Sequence, residues 1–256
     1  MKKFRADQAR MHLIMMLALT FTTGIIDAVG YLGLDRVFTA NMTGNVVILG
    51  MAIAQADGLP IVGPIVALVA FMIGAALGGA LLRSARTGWS GRSTIAFSVT
   101  GTVLLGLGVS CFVVLPVEGS PWAFTITGLL GAAMGLQAAA ARKLAVADVT
   151  TVVVTSTIVG LASESKIAGG TGKNFPRRVL AVLMILVGAG VGALLLQVHI
   201  GVGMGTAGGL TLLVALAGHL LRMRRKELEA AAAAEAAGAS SDEEARVAST
   251  TEGTRA

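Results

Sequence analysis

Eight apolar segments follow one another along the chain, and short polar links separate them. They cover about residues 11–33, 37–56, 60–82, 93–115, 122–141, 147–164, 177–198 and 203–222. A helix needs about 20 apolar residues to span the hydrocarbon core of a bilayer. Only 13% of the residues are charged and the mean hydropathy is +0.81, whereas soluble domains are about 25% charged. The sequence therefore predicts an all-α integral membrane bundle with the lipid bilayer around it.

The second and sixth segments differ from the other six because they are short and rich in threonine. If each enters and leaves on one side, every basic link falls on the same side, as the positive-inside rule expects. If all eight cross, the basic link Arg83–Arg92 falls on the opposite side. The charges favour six transmembrane helices plus two short re-entrant or half-length helices. Eight crossings are the alternative.

The two halves of the membrane domain, about 11–115 and 122–222, carry the same order of elements. Each has a long helix, a short Thr-rich segment, a Pro-started helix with small residues and a last helix. Asn41–Val47 aligns with Val153–Val159 at an offset of 112. Three crossings per half would turn the second half upside down, so the fold is predicted to be an inverted repeat. Four crossings per half would make the repeats parallel.

Charge and motifs exclude several classes of function. The net charge of +6 comes from lysines and arginines that lie between apolar segments, so nucleic acid is not a predicted partner. One cysteine, Cys111, cannot form an intramolecular disulfide. The motifs Gly-x-Ser-x-Gly, His-Glu-x-x-His and the phosphate loop do not occur. We therefore predict that the chain is not an enzyme and that it holds neither a cofactor nor a metal.

The ends of the chain carry the remaining predictions about organisation. The basic, then apolar N-terminus imitates a secretory signal, but we expect an uncleaved first helix because no clear cleavage site follows. The membrane domain is predicted to cover residues 1–222. Residues 223–256 are predicted to form a cytoplasmic helical extension and then a disordered tail. Both termini are predicted to be cytoplasmic.

Polar residues concentrate in one stretch, Thr23–Gly50, which carries two aspartates, an arginine and two asparagines. Asp27 lies in the first helix, and intramembrane ionisable residues are functional candidates by default. It is predicted to carry a proton or cation, or to contact a ligand. The alternative is a wet capping residue at an early helix end. Asp35 and Arg36 are interfacial charges, or Arg36 reaches Asp27 or an anionic ligand.

The second segment carries a polar group of its own. Asn41 and Asn45 share a helix face, with Thr43 and Gly44 between them. The N-terminus of a half-helix there would offer free N–H groups to an anionic group. The alternative is hydrogen bonding between helices, which stabilises the bundle. The counterparts in the second half are Gln137, Thr151 and Thr155, together with Ser156 and Thr157, whose hydroxyls could instead bond their own helix.

Two Gly-x-x-x-Gly pairs, Gly74/Gly78 and Gly188/Gly192, occur in matching helices of the two halves. Small residues at this spacing let helix backbones approach closely. We predict that both pairs lie at helix–helix crossings.

The stretch Thr23–Gly50 resembles the YoaK-type family of bacterial membrane proteins, a family named as a domain of unknown function. The resemblance rests on Gly24, Asp27-Ala28, Gly30-Tyr31, Phe38, Asn41–Asn45 and Gly50. The second half matches through Gly135-Leu136-Gln137, Ala141-Arg142 and Thr151–Thr155, but Thr155-Ser156-Thr157 departs from the Thr-Gly-Thr of the family. The resemblance spans about Leu13 to Leu221 and implies a multi-pass protein of the bacterial inner (plasma) membrane. It supplies no substrate.

These features predict a transporter or channel for a small solute, coupled to a proton or cation. Asp27 would carry the ion. Solute would be bound by residues of both short segments and by Gln137, namely Asn41, Thr43, Gly44, Asn45, Gln137, Thr151 and Thr155. The alternative function is a non-transporting membrane scaffold or sensor. Self-association into a homo-oligomer is left open.

Overall fold

The structure is a computed structural model that describes residues 2–56, 58–85, 88–144, 154–172 and 174–253. These residues form eight α-helices and one short 3₁₀ helix, Lys166–Ala168. The α-helices are α1 Lys2–Gly33, α2 Met42–Ile53, α3 Val62–Leu82, α4 Gly91–Val113, α5 Pro121–Leu144, α6 Val154–Ser163, α7 Phe175–Val198 and α8 Ile200–Gly253.

Six of these helices contain apolar stretches of 21 to 29 residues, which are long enough to cross a membrane. The shorter α2 and α6 have 12 and 10 residues. At 1.5 Å per residue, neither reaches across the ~30 Å hydrocarbon core. The chain is an all-α membrane bundle with six long helices and two short ones, as the sequence predicted.

The chain divides into two compact units, Met1–Gly218 and His219–Ala256. The second unit consists of the continuation of α8, which ends at Gly253. The sequence predicted a helical extension followed by a disordered tail, and α8 runs on to Gly253. Alanine, glutamate and arginine in residues 242–248 have high helix propensity, which accounts for the longer helix.

Helix α1 packs along α7 through glycines that bring the two backbones together. A Cβ added at Gly188 would meet the carbonyl oxygen of Phe21, and one added at Gly192 would lie 2.7 Å from that of Ile25. Gly24 on α1 faces the carbonyl of Ile185 in the same way. Because residue numbers rise together on both sides, α1 and α7 run parallel.

Helix α3 packs along α5 with the same kind of contact. An added Cβ at Gly74 would meet the carbonyl oxygen of Ala132, and one at Gly78 would lie 2.7 Å from Cβ of Ala139. These two helices are also parallel. Both Gly-x-x-x-Gly pairs therefore lie at helix crossings, which confirms the prediction made from their spacing.

Helices α4 and α8 cross in the opposite sense. A Cβ at Gly101 would lie 3.0 Å from the carbonyl oxygen of Gly208, and one at Gly108 would lie 2.8 Å from that of Gly201. Residue numbers rise on α4 as they fall on α8, so the pair is antiparallel. If all eight segments crossed the membrane in turn, α4 and α8 would run parallel.

The chain returns through α2 to the end of the bundle where α1 finished. Arg36, just after α1, donates from Nη1 to the carbonyl oxygen of Gly58 just after α2, at 3.1 Å. Asp35 accepts from the N–H of Gly119 at 2.6 Å. An added Cβ at Gly63, near the start of α3, would lie 3.1 Å from Cβ of Asp35. Helix α2 is thus the returning arm of a re-entrant hairpin, and six helices remain to span.

The core of the bundle is apolar. It is a cluster of buried residues from α1, α4, α5 and α8 that includes Ile26, Leu104, Ile126 and Met204. Helices α3 and α7 leave most of their apolar surface exposed, as expected of helices that face lipid. Among the described residues, buried polar side chains are most numerous on α1, which carries Thr20, Thr22, Thr23 and Asp27.

Candidate functional site

The carboxylate of Asp27 organises the link between α1 and α2. Asp27 is buried on α1, and its Oδ1 accepts hydrogen bonds from the backbone N–H groups of Thr39, Ala40 and Asn41 at 3.0, 2.8 and 3.4 Å. These groups precede α2, where no regular secondary structure provides an acceptor. Asp27 therefore holds the link against α1, about two turns before the helix ends at Gly33.

Asn45 holds the next part of the link from the α2 side. Its Oδ1 accepts from the N–H of Phe38 at 2.8 Å, and its Nδ2 donates to the carbonyl oxygen of the same residue. Asn41 caps α2, because its Oδ1 accepts from the N–H of Gly44 at 3.3 Å. The side-chain amides thus replace the backbone partners that an irregular segment lacks.

Taken together, these bonds satisfy the backbone N–H groups of residues 38 to 42. Phe38 donates to Asn45, the next three donate to Asp27, and Met42 donates to the carbonyl of Ala40 at 3.1 Å. An unsatisfied backbone group in hydrocarbon costs several kcal/mol. The polar residues of the Thr23–Gly50 stretch are what allow non-helical backbone inside the bundle.

Glycines let the link lie against both helices. A Cβ added at Gly30 would lie 2.6 Å from the carbonyl oxygen of Val37, and one at Gly44 would lie 2.6 Å from the ring of Phe38. That ring stacks on Tyr31 with 5.0 Å between the ring centroids. The glycines around Asp27 serve close packing, and α1 continues unbroken past them.

Gln137 contacts α1 one helical turn away from Asp27. Its Nε2 donates to Oγ1 of Thr23 at 3.3 Å, and the Thr23 hydroxyl donates to the carbonyl oxygen of Leu19. Oε1 of Gln137 has no hydrogen-bond partner in the described part of the chain, and neither has the buried Oγ1 of Thr39 in the link. Thr23 and Asp27 lie on one face of α1, because they are four residues apart.

The predicted site residues fall into two groups. Asp27, Asn41, Gly44 and Asn45 meet around the link, whereas Gln137 meets α1 through Thr23 instead of contacting α2. Thr43 is exposed in the first turn of α2, and Thr155 is exposed in the first turn of α6. Thr151 lies outside the described residues, so its predicted role stays a prediction.

The adjacent charges Asp35 and Arg36 lie at the end of the bundle. Asp35 is buried and binds the N–H of Gly119, while Arg36 binds the carbonyl of Gly58. Arg36 has a positive φ of 51°, which turns the chain back towards the interior. The proposed reach of Arg36 to Asp27 does not occur. Its side chain instead connects the end of α1 to the residues that follow α2.

Sequence reasoning missed three buried residues. Thr23 and Thr39 were read as part of a polar stretch without a role, although each lies against a singled-out residue. Arg178 had no predicted role, yet it is buried and donates to the carbonyl oxygen of Gly160 at 2.6 Å. It also pairs with Glu164 at 2.9 Å. The glycine at 160 is the sequence signal, because its missing side chain leaves room for the guanidinium.

Among the described residues, no group of three or more His, Cys, Asp or Glu side chains could hold a metal ion. The polar atoms around Asp27 are amide, hydroxyl and carboxylate oxygens and backbone N–H groups. This set suits small polar solutes and hard cations.

Comparison with known proteins places the chain in a family. Residues 15–217 match the model of a family described as "Protein of unknown function (DUF1275)". The chain belongs to the DUF1275 family. It is 33% identical over 188 residues to the UPF0700 transmembrane protein YoaK of Bacillus subtilis (strain 168). The matched residues cover 69% of this chain and 80% of that protein. No solved structure matches the chain.

The matched region bears out the resemblance on which the sequence reading relied. It contains the α1–α2 hairpin, the contact between Thr23 and Gln137 and all of the glycine crossings. The DUF1275 match ends before the second compact unit, His219–Ala256. The family description supplies no activity, so function has to be argued from the geometry.

Proposed function

We propose that this DUF1275 protein is a transporter for a small polar solute, built as an inverted repeat. The observation that carries the proposal is the pair of short helices, α2 and α6, at corresponding positions of two halves. Short or broken helices at such positions mark the binding sites of many secondary transporters. The halves are α1–α4 and α5–α8.

Contacts at the glycine crossings support the duplication residue by residue. Gly74 faces Ala132, and Gly188 faces Phe21. Phe21 corresponds to Ala132 of the second half at an offset of 111, and Gly74 corresponds to Gly188 at an offset of 114. The two contacts are therefore equivalent when the halves are exchanged. At the same offsets, the contact between Gly24 and Ile185 is equivalent to the contact between Gly135 and Phe71. Each half therefore packs on the other through the same surfaces.

Helix directions support the inversion. Helices α1 and α3 are antiparallel, because Asp35 after α1 lies beside Gly63 at the start of α3. Helix α5 runs with α3, and α7 runs with α1. Each long helix of the first half is thus antiparallel to its counterpart, and α4 and α8 cross in opposite directions. This is the arrangement of inverted-topology repeats.

The first turn of α2 carries polar groups that the fold does not use. In the described part of the chain, Nδ2 of Asn41 and the hydroxyl of Thr43 make no hydrogen bond, and both residues are exposed. These groups would bind the solute, and Thr155 on α6 is the exposed counterpart. Gly44, Asn45 and Asp27 hold the turn in position.

The proposed solute is neutral or cationic. The N-terminus of α2 would attract an anion, but the carboxylate of Asp27 already accepts from the N–H groups that precede it. An anionic solute would meet this carboxylate at close range. We therefore propose a neutral or cationic solute in place of the anion predicted at this helix end.

The proposed location is the bacterial inner membrane with both termini cytoplasmic. The directions of α3, α5 and α7 bring Arg83, Arg92, Arg142 and Arg178 to the end of the bundle opposite Asp35. Basic residues gather on the cytoplasmic side of membrane proteins. The hairpin of α2 would then open towards the outer side.

A second candidate function is a non-transporting scaffold or sensor. It is favoured by the engagement of Asp27 and Asn45, whose bonds to the link stabilise the fold. In that case the polar network would serve packing alone. The two proposals differ in whether the exposed groups on α2 meet a ligand.

A ligand screen tests the transporter directly. Purified protein is expected to gain melting temperature with one class of small neutral or cationic metabolite, because a bound solute stabilises the folded state. Thr43→Val should reduce this gain and lower uptake into proteoliposomes by about tenfold, the effect of losing ~1.4 kcal/mol of binding. Thr125→Val, which removes an exposed hydroxyl that bonds Pro121 on α5, is the matched control. Equal stabilisation of both variants would count against the site.

A further inference from the structure

We infer that Asp27, Thr39 and Gln137 form a binding site for a monovalent metal cation between α1 and α5. The inference rests on the proposed function for its role, since the cation would couple to solute movement. It names the ion class and its oxygen ligands, which the proposed solute site does not.

Charge balance is the first argument. Asp27 is only 7% exposed, and no Lys, Arg or His side chain pairs with it in the described part of the chain. Buried charges are ordinarily paired or coordinate metals. The N–H groups of the link contribute partial positive charge on one oxygen, Oδ1. A cation at the other side of the carboxylate would complete the pairing.

Two unpartnered oxygens are the second argument. Oγ1 of Thr39 and Oε1 of Gln137 have no hydrogen-bond partner among the described residues, and the two residues are 0% and 1% exposed. A buried polar atom without a partner costs about 1–3 kcal/mol. Oxygens of this kind are ligands for hard cations.

The placement of these oxygens is the third argument. Thr39 donates its backbone N–H to Asp27, so its side chain belongs to the same link. Gln137 binds Thr23, which lies on the Asp27 face of α1 one turn away. Carboxylate, hydroxyl and amide oxygens therefore come from α1, the re-entrant link and α5.

A metal cation explains these neutral oxygens better than a proton does. A proton would give the carboxyl group a single O–H donor, which could satisfy one of the two oxygens and would leave the other without a partner. A cation gives all three side chains a function. It would also join the two halves of the molecule, because Gln137 belongs to the second half and Asp27 to the first.

The test is a thermal unfolding series on the full-length protein in detergent, with NaCl and separately KCl titrated against choline chloride at constant ionic strength. The proposal expects a saturable rise of at least about 3 °C with one of the metal cations, as mass action predicts when the cation well exceeds its Kd. Asp27→Asn keeps an acceptor for the N–H groups and should abolish the rise. Thr39→Val and Gln137→Leu should weaken it about tenfold in apparent affinity.

Thr211→Val is the matched control. Thr211 is a buried threonine on α8 whose hydroxyl donates to the carbonyl of Ala207, so its loss should leave the cation effect intact. Identical unfolding curves in sodium, potassium and choline would overturn the cation site. So would a rise that persists in Asp27→Asn and in Thr39→Val. Neither result requires a solute, so failure of the cation site is distinguishable from failure of transport, which the Thr43→Val comparison tests.

Discussion

Gly74→Ala is expected to destabilise the bundle by about 1–3 kcal/mol, the usual cost of forcing an extra methyl group into a packed interior. The new Cβ would meet the carbonyl oxygen of Ala132 on α5. Backbone cannot move aside as a flexible side chain can, so α3 and α5 would have to separate. The separation would loosen one of the two parallel pairs on which the fold is built.

The control for this substitution lies on the same helix. Gly79 has nothing within 4 Å of an added Cβ, so Gly79→Ala is expected to change stability by less than about 0.5 kcal/mol. On α7, Gly188 and Gly190 provide the equivalent pair, since Gly190 is also open. Melting temperatures of the four variants, measured by fluorescence-detected size exclusion after heating, make the comparison. Equal shifts at Gly74 and Gly79 would contradict the packing described for α3 and α5.

Asp27→Ala is expected to cost about 3–5 kcal/mol, because it leaves buried N–H groups of the re-entrant link without an acceptor. A protein of ordinary stability would lose much of its folded yield. Asp27→Asn is expected to cost far less, since the amide oxygen can still accept from Thr39 and Ala40. The ratio of folded to aggregated protein after extraction, followed by thermal unfolding, measures the difference.

This pair of variants separates two roles of one residue. If Asp27 acts only as an acceptor for backbone, alanine is harmful and asparagine nearly harmless in every assay. If it also holds a cation, asparagine retains the fold and loses the cation effect. Equal stability of the alanine and asparagine variants would contradict the capping geometry.

The sequence was sufficient to predict the architecture because membrane folds are constrained by length and charge. The apolar segments predicted six long helices and two short ones, and the Gly-x-x-x-Gly spacing predicted the close crossings. The positive-inside rule favoured a re-entrant α2, and the bond from Arg36 to Gly58 agrees with it. Each of these signals is local and repeats along the chain.

The details of the site could not be predicted, because they depend on contacts between distant residues. Nothing in the sequence indicates that Asp27 accepts from residues 12 to 14 positions later, or that Gln137 meets Thr23 across 114 positions. The two asparagines were read as solute ligands, yet Asn45 is occupied with Phe38. A polar residue in an apolar chain can serve solute or backbone, and its sequence context is the same for both.

The central proposal is that solute reaches the exposed first turn of α2 from each side of the membrane in turn, as transport requires. The direct measurement is labelling of Thr43→Cys by a charged, membrane-impermeant maleimide, in a background where the buried Cys111 is replaced by alanine. Leu77→Cys, 64% exposed on the lipid-facing helix α3, is the unreactive control. Val117→Cys, 69% exposed in the link after α4, is the control for a residue open to one side. The proposal predicts labelling of Thr43→Cys in both right-side-out and inside-out vesicles, and labelling from one side only, or from neither, would contradict it.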